Sequence, residues 1–284
     1  MLKGNKCLFF ISVFIVFLVV SCSEYREVLR SDNPELKYEK AIELYYEEEY
    51  SRAINLLTDA IPFYRGTEKA QELNYYYAMA HYKKGDYILA SHYFDSFVSA
   101  FPGSEHAEEF TFLKAYCKYK ESPRYSLDQS VTREAIDEFQ RFVDSYPNSD
   151  KVPEANEYID KLRFKLEKKR FEQAKLFYRI GDYRAAARSF DNLINEFPGT
   201  EFEEEAMFYI LKSHHDYADR SIPERQPERF EKAVEAYERL ISNYPETEFL
   251  EEANEMIENA EDHLELEEVN ELEEIEEIVT SKIE

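Results

Sequence analysis

One phrase occurs four times in this chain: an aromatic residue, proline, any residue, Ser or Thr, and an acid. It reads FPGSE at 101–105, YPNSD at 146–150, FPGTE at 197–201 and YPETE at 244–248. Proline lacks the N–H a helix needs and its ring clashes with the preceding turn, so each phrase ends a helix. Pro102, Pro147, Pro198 and Pro245 lie 45, 51 and 47 residues apart. Self-similarity at such a period marks a stacked architecture, in which each unit buries its apolar face against the next.

The segments before the phrases repeat as well. Ala90, Ala135, Ala186 and Ala233 sit twelve residues before the prolines, and Phe94, Phe139, Phe190 and Tyr237 sit eight before them. A fifth copy keeps Ala53 and Leu57. A small residue and an aromatic four apart share one helix face. Further upstream lies a second pattern, large apolar, small, Tyr, as Tyr38-Ala41-Tyr45, Tyr75-Ala78-Tyr82, Phe112-Ala115-Tyr119, Phe171-Ala174-Tyr178 and Ile210-Ser213-Tyr217. Spacings of three and four put each trio on one face, with the small residue where a neighbouring backbone can approach.

Two helices joined by Gly85-Asp86-Tyr87 or Gly181-Asp182-Tyr183 complete the unit, which resembles the tetratricopeptide repeat. The matches are the Gly-Asp-Tyr turn, Ala early in the second helix, an aromatic one turn later and Pro after its end. The departures are a first helix without Trp and a longer period. The extra residues fall near 121–124, at 221–227 and in an extended helix over 152–169. The expected fold is all-α, an α-solenoid of about five tetratricopeptide-like helix pairs over 34–248 with a C-terminal capping helix over 249–265. Ser104 and Thr200, with the acid behind each, are expected to cap the next helix and complement its dipole.

Composition agrees with helices, with only 6 Gly against 23 Tyr and 21 Phe. A formal charge of −25 excludes a surface that tracks phosphates, so nucleic acid is not an expected partner. The chain opens with Lys3 and Lys6 before the apolar run CLFFISVFIVFLVV, short for a spanning helix and suited to a signal peptide. It ends in Val19-Val20-Ser21-Cys22, which resembles the bacterial lipobox, where the cysteine carries a diacylglycerol thioether and an N-acyl chain. The competing readings are an uncleaved anchor and a secretory signal with an incidental cysteine. Residues 1–21 are thus expected to be a lipoprotein signal peptide and 22–33 a lipidated linker. The repeat domain would cover 34–265 and an acidic tail 266–284. Three acyl chains exceed what stable anchoring needs. With Cys7 removed and Cys22 acylated, Cys117 is the one remaining thiol, in an apolar helical run that suits a small buried side chain.

No catalytic constellation emerges. His214 and His215 are adjacent and point apart on a helix, and no further His or Cys stands at metal-ligand spacing, so no metal and no cofactor beyond the lipid is expected. The runs Glu47-Glu48-Glu49 and Glu203-Glu204-Glu205 read as solvated faces or dipole partners. What remains is surface. Tyr38, Tyr45, Tyr75 and Tyr82 are candidates for a partner-binding face, because Tyr offers broad contact at low entropic cost. The same positions also suit packing within the repeats, and Tyr46 and Tyr76 put aromatics on the other face. In the tail, Leu266, Val269, Leu272, Ile275 and Ile278 recur every three residues among glutamates. That step drifts around a 3.6-residue helix, which favours a solvated acidic tail over a partner-binding stripe.

Three stretches together resemble the BamD family of outer-membrane β-barrel assembly lipoproteins. They are LDQSVTREAIDEFQRFVDSYPNSD, the connecting run VPEANEYIDKLRFKLEKKRFEQAKLFYRIGDYRAAARSFDNLINEFPGTE, and Cys22. The resemblance implies a non-enzymatic scaffold held by Cys22 in the inner leaflet of the outer membrane and facing the periplasm. Its C-terminal repeats would dock the barrel-forming insertase subunit and its N-terminal repeats would meet unfolded β-barrel substrates, alongside other assembly lipoproteins. The alternative is an envelope lipoprotein acting as a structural adaptor for peptidoglycan or division machinery.

Overall fold

A computed structural model describes the backbone of residues 24–281 and the side chains as far as 265. The leader, Cys22 and the proposed lipidation chemistry therefore lie outside the described residues, as do the tail side chains Leu266, Val269, Leu272, Ile275 and Ile278. Among the described residues the fold is all-α, built of tetratricopeptide-like helix pairs. In chain order the helices are α1 (Pro34–Tyr46), α2 (Tyr50–Ala60), α3 (Lys69–Lys84), α4 (Tyr87–Ala100), α5 (Ala107–Glu121), α6 (Ser130–Ser145), α7 (Val152–Arg179), α8 (Tyr183–Glu196), α9 (Glu203–Asp219), α10 (Gln226–Asn243) and α11 (Leu250–Ser281).

The chain divides into two compact units, one of residues up to 123 together with 129–162, the other of 124–128 together with 163 onward. The first stacks the pairs α1–α2, α3–α4 and α5–α6. Its last layer is closed by the beginning of α7, where Ala155, Ile159 and Leu162 join Phe112, Ala115, Ala135, Phe139 and Phe142 in one cluster. In the second unit, Phe171 and Ala174 from later in α7 pack with Ala186, Phe190 and Leu193 of α8. The pair α9–α10 follows, and α11 closes it with Ala253.

The sequence suggests one uninterrupted run of repeats with an inserted helix over 152–169. In the structure this helix runs on through the Phe171-Ala174-Tyr178 trio to Arg179, 28 residues without a break. One segment thus serves as the lid of the third pair and the first helix of the fourth, which accounts for the 51-residue interval. The terminal helix α11 also exceeds its expected end near 265 and is helical to Ser281.

The repeated phrase folds the same way four times. Phe101, Tyr146, Phe197 and Tyr244 end their helices with φ near −130° and ψ of 59–73°. Each of these carbonyls then accepts from the N–H of the hydroxyl residue three positions on, Ser104, Ser149, Thr200 or Thr247, at 3.0–3.2 Å. Each hydroxyl oxygen in turn accepts from the N–H two residues further, His106, Lys151, Phe202 or Phe249. The hydroxyl therefore does not cap the helix as expected. It closes a turn just before the helix, because the N-cap positions before α5 and α9 belong to His106 and Phe202.

The turn within a pair repeats too. Gly85 (φ 88°) and Gly181 (φ 81°) take the left-handed conformation that ends a helix, while Asp86 and Asp182 donate their N–H groups back to the carbonyls of His81 and Phe177. In the first pair the equivalent donor is Glu49, to Leu44, and the left-handed position is held by Glu48 (φ 64°). An L side chain is strained there whereas glycine is not. Glu48→Gly is expected to raise stability by about 1 kcal/mol in urea unfolding. A loss of stability would mean that the Glu48 side chain offsets its backbone strain.

Candidate functional site

The small residues of the trios, Ala41, Ala78, Ala115, Ala174 and Ser213, are all fully buried at 0 % exposure. This lets the neighbouring helix approach; of the flanking aromatics, Phe112 and Phe171 are buried and the tyrosines are half-buried. Whether those aromatics belong to core or to groove is a matter of which ring turns where. Tyr82 turns inward, against Tyr87, Phe94 and Tyr116. Tyr38 lies 6.1 Å from Tyr64. Tyr45 and Tyr75 do both, packing beneath while lining an open cleft. Burial holds all four hydroxyls above the usual phenol range, Tyr45 and Tyr82 up to about 12. They remain protonated donors near neutral pH.

The cleft has a volume of about 770 Å³ and is lined by Tyr45 and Tyr46 of α1, Glu68, Gln71, Glu72, Tyr75 and Tyr76 of and just before α3, and Glu105 and His106 before α5. Its floor is an array of rings meeting edge to face. Tyr45 lies 5.6 Å from Tyr46 at 84° and 5.0 Å from Tyr76 at 71°, and Tyr75 lies 5.3 Å from Tyr76 at 85°. Such offset arrangements suit the ring quadrupoles. The hydroxyls of Tyr46 and Tyr76 share a hydrogen bond of 2.8 Å, tying the first pair to the second. Tyr75 stacks on Phe110 below and meets the His106 ring at 4.3 Å. Tyr46 is 69 % exposed, so the rim of this array is open to a ligand.

Sequence reasoning points to Tyr45 and Tyr75 but misses Glu68, Gln71, Glu72, Glu105 and His106. One signal was present. Gln71 and Glu72 precede Tyr75 and Tyr76 by four residues and so share their helix face, and Glu105 is the acid of FPGSE. That acid reaches the cleft because its turn leads directly into α5.

The second unit has a smaller groove of about 670 Å³ lined by Arg170, Gln173, Leu176, Phe177, Asn192 and Asn195 among others. Its Arg170 pairs with Glu196 at 3.0 Å. The polar residues deeper in this unit are ties between helices. Tyr178 donates to Asp216 at 2.6 Å and His215 meets Asn259 of α11 at 3.0 Å. The Asp216 carboxylate, 3.5 Å from its ring, holds the His215 imidazole above its ordinary range. Burial pushes Asp216 up, but the adjacent His215 and the hydrogen bond from Tyr178 leave it below its ordinary value. Burial, helped by the charge of Glu121, pushes the Cys117 thiol up to about 12, so it stays an unreactive core group. Among the described residues no three His, Cys, Asp or Glu side chains gather as metal ligands, and no helix is long and apolar enough to cross a membrane.

Paired helices, alternating turns and an open aromatic cleft define a tetratricopeptide-type protein whose working parts are surfaces. The chain belongs to the YfiO family of outer membrane lipoproteins, whose model matches residues 30–221, more than half its length. This is the BamD-type family that the turn and connecting-helix motifs resemble. A tetratricopeptide repeat model matches 225–247, over α10 and the turn after it. Neither description names a catalytic activity. No match stands among curated protein sequences. Among solved structures, the TPR2AB domain of yeast Sti1 in its pHSP90 complex is similar over 86 % of this chain and 96 % of that chain, at 14 % identity and a TM-score of 0.37.

Proposed function

We propose that this lipoprotein is a scaffold of the outer-membrane β-barrel assembly machinery. Its fatty acylated Cys22 fixes it to the inner leaflet of the outer membrane, on the periplasmic face. The C-terminal repeats dock the barrel-forming insertase subunit, other assembly lipoproteins join the complex, and the N-terminal repeats capture unfolded barrel proteins before insertion. No covalent chemistry is involved beyond the lipid.

The observation that carries this reading is the tyrosine cleft of the first unit in a member of an outer-membrane lipoprotein family. An extended strand on its way to a barrel offers alternating side chains and free backbone groups. Rings held by their neighbours bind such a strand with little loss of freedom. Of the four candidate tyrosines, Tyr45 and Tyr75 take the contact, while Tyr38 and Tyr82 support them from within the packing.

Depletion of the protein is expected to empty the outer membrane of barrel proteins while septation stays normal. Purification from detergent is expected to bring down a large barrel protein with it. Normal barrel levels in depleted cells, with no barrel partner recovered, would reject the assembly role.

A further inference from the structure

We infer that the tyrosine cleft is selective for a cationic side chain, an arginine or lysine of an extended segment whose charge lies between the rings of Tyr45, Tyr46, Tyr75 and Tyr76 and the carboxylates Glu68, Glu72 and Glu105. The inference rests on the cleft being the capture site and adds what that site selects.

Charge is the first argument. Nearby carboxylates have found partners: Glu35 pairs with Lys69 at 2.6 Å and Asp86 with Lys84 at 2.7 Å. Among the described residues Glu68, Glu72 and Glu105 have no ion pair with any Lys or Arg, while Glu72 accepts from the Tyr38 hydroxyl. No Lys or Arg lines the cleft, and its one basic group, His106, is engaged with the Tyr75 ring. Three exposed like charges around one hollow repel each other, and a cation brought among them relieves that repulsion. An anionic group, including the free carboxylate at a chain end, is excluded by the same field.

Ring geometry is the second argument. Adjacent rings meet edge to face at 71–85°, and Tyr46, 69 % exposed, leaves ring face open to solvent on the rim. A cation within about 6 Å of such a face is attracted by the ring quadrupole. Guanidinium suits the place better than ammonium, since it stacks flat on a ring while its edge donates to carboxylates in a fork. The length of the segment follows from the lining, which passes from α1 across α3 to the turn before α5.

The test uses the full chain in detergent and three fluorescent peptides of alternating aromatic and serine residues, identical except for Arg, Leu or Glu at the centre. Anisotropy titration is expected to rank them Arg, Leu, Glu, with Arg about fivefold tighter than Leu at low salt. That advantage is expected to shrink in about 0.5 M salt, where the screening length falls to a few ångströms. Glu72→Gln with Glu105→Gln is expected to erase the difference between the Arg and Leu peptides and to narrow that between Leu and Glu. Tyr46→Leu, on the exposed rim, is a second variant expected to weaken Arg more than Leu. Equal binding of Arg and Leu, or tightest binding of Glu, overturns the cation preference and leaves capture standing. Absence of binding by all three peptides overturns both.

Discussion

Phe190→Ala is expected to destabilise the second unit by about 3–5 kcal/mol, measured as a shift in the urea midpoint followed by helical circular dichroism. Phe190 is fully buried at 0 % exposure and sits where three helices meet. Its ring crosses Phe171 of α7 at 5.6 Å and stacks on Tyr209 of α9 at 5.2 Å. Removing it strips contacts from both neighbours and leaves a void that Ala186 and Ala174, already small, cannot fill. In a stack where each pair is supported by its neighbours, a void between two pairs is felt by both. Phe177→Ala is the control. That ring is 38 % exposed and lines the groove of the second unit, so its loss is expected to cost about 1 kcal/mol or less. Equal effects from the two substitutions would mean that the periodic aromatics do not carry the core.

Cys22→Ala is expected to abolish incorporation of labelled palmitate and to remove the protein from the outer-membrane fraction. One acyl chain gives only marginal, reversible binding, while two signals suffice for stable anchoring. The three chains proposed for Cys22 would make release negligible, and among the described residues no helix is long and apolar enough to span a membrane. The effect is therefore near all-or-none. Continued labelling of the variant, or its unchanged fractionation, would show that the residue is incidental and that another segment holds the protein.

These expectations differ in how openly the sequence states them. Phe190 is legible because its spacing to Ala186 and Pro198 recurs in each repeat, and a period is visible without any knowledge of contacts. The division at 162 is not legible, because α7 keeps good helix formers through its centre and no Gly or Pro marks the change of partner. The cleft falls between these cases. Its tyrosines stand in the trios, yet Tyr45 and Tyr82 occupy the same place in successive repeats and end in different surroundings. The next pair covers Tyr82 with Tyr116, while Tyr45 meets Tyr76 at the cleft. The carboxylates were harder still, since Glu68, Glu72 and Glu105 come from a loop, a helix and a repeat turn. Ser104 and Thr200 have the residue types of caps, but their hydroxyls close the preceding turn and the cap lies two positions on.

The buried Cys117 and the absence of tryptophan leave two probes free to be introduced. The only described thiol is inaccessible and held protonated, so among the described residues a maleimide dye would react at an introduced cysteine. Tyr46→Trp would place a lone indole on the rim of the cleft, and its emission, excited beyond the tyrosine absorption band, would report occupancy. The protein is thus suited to watching a client arrive in real time, one position at a time, through signals that it does not itself produce.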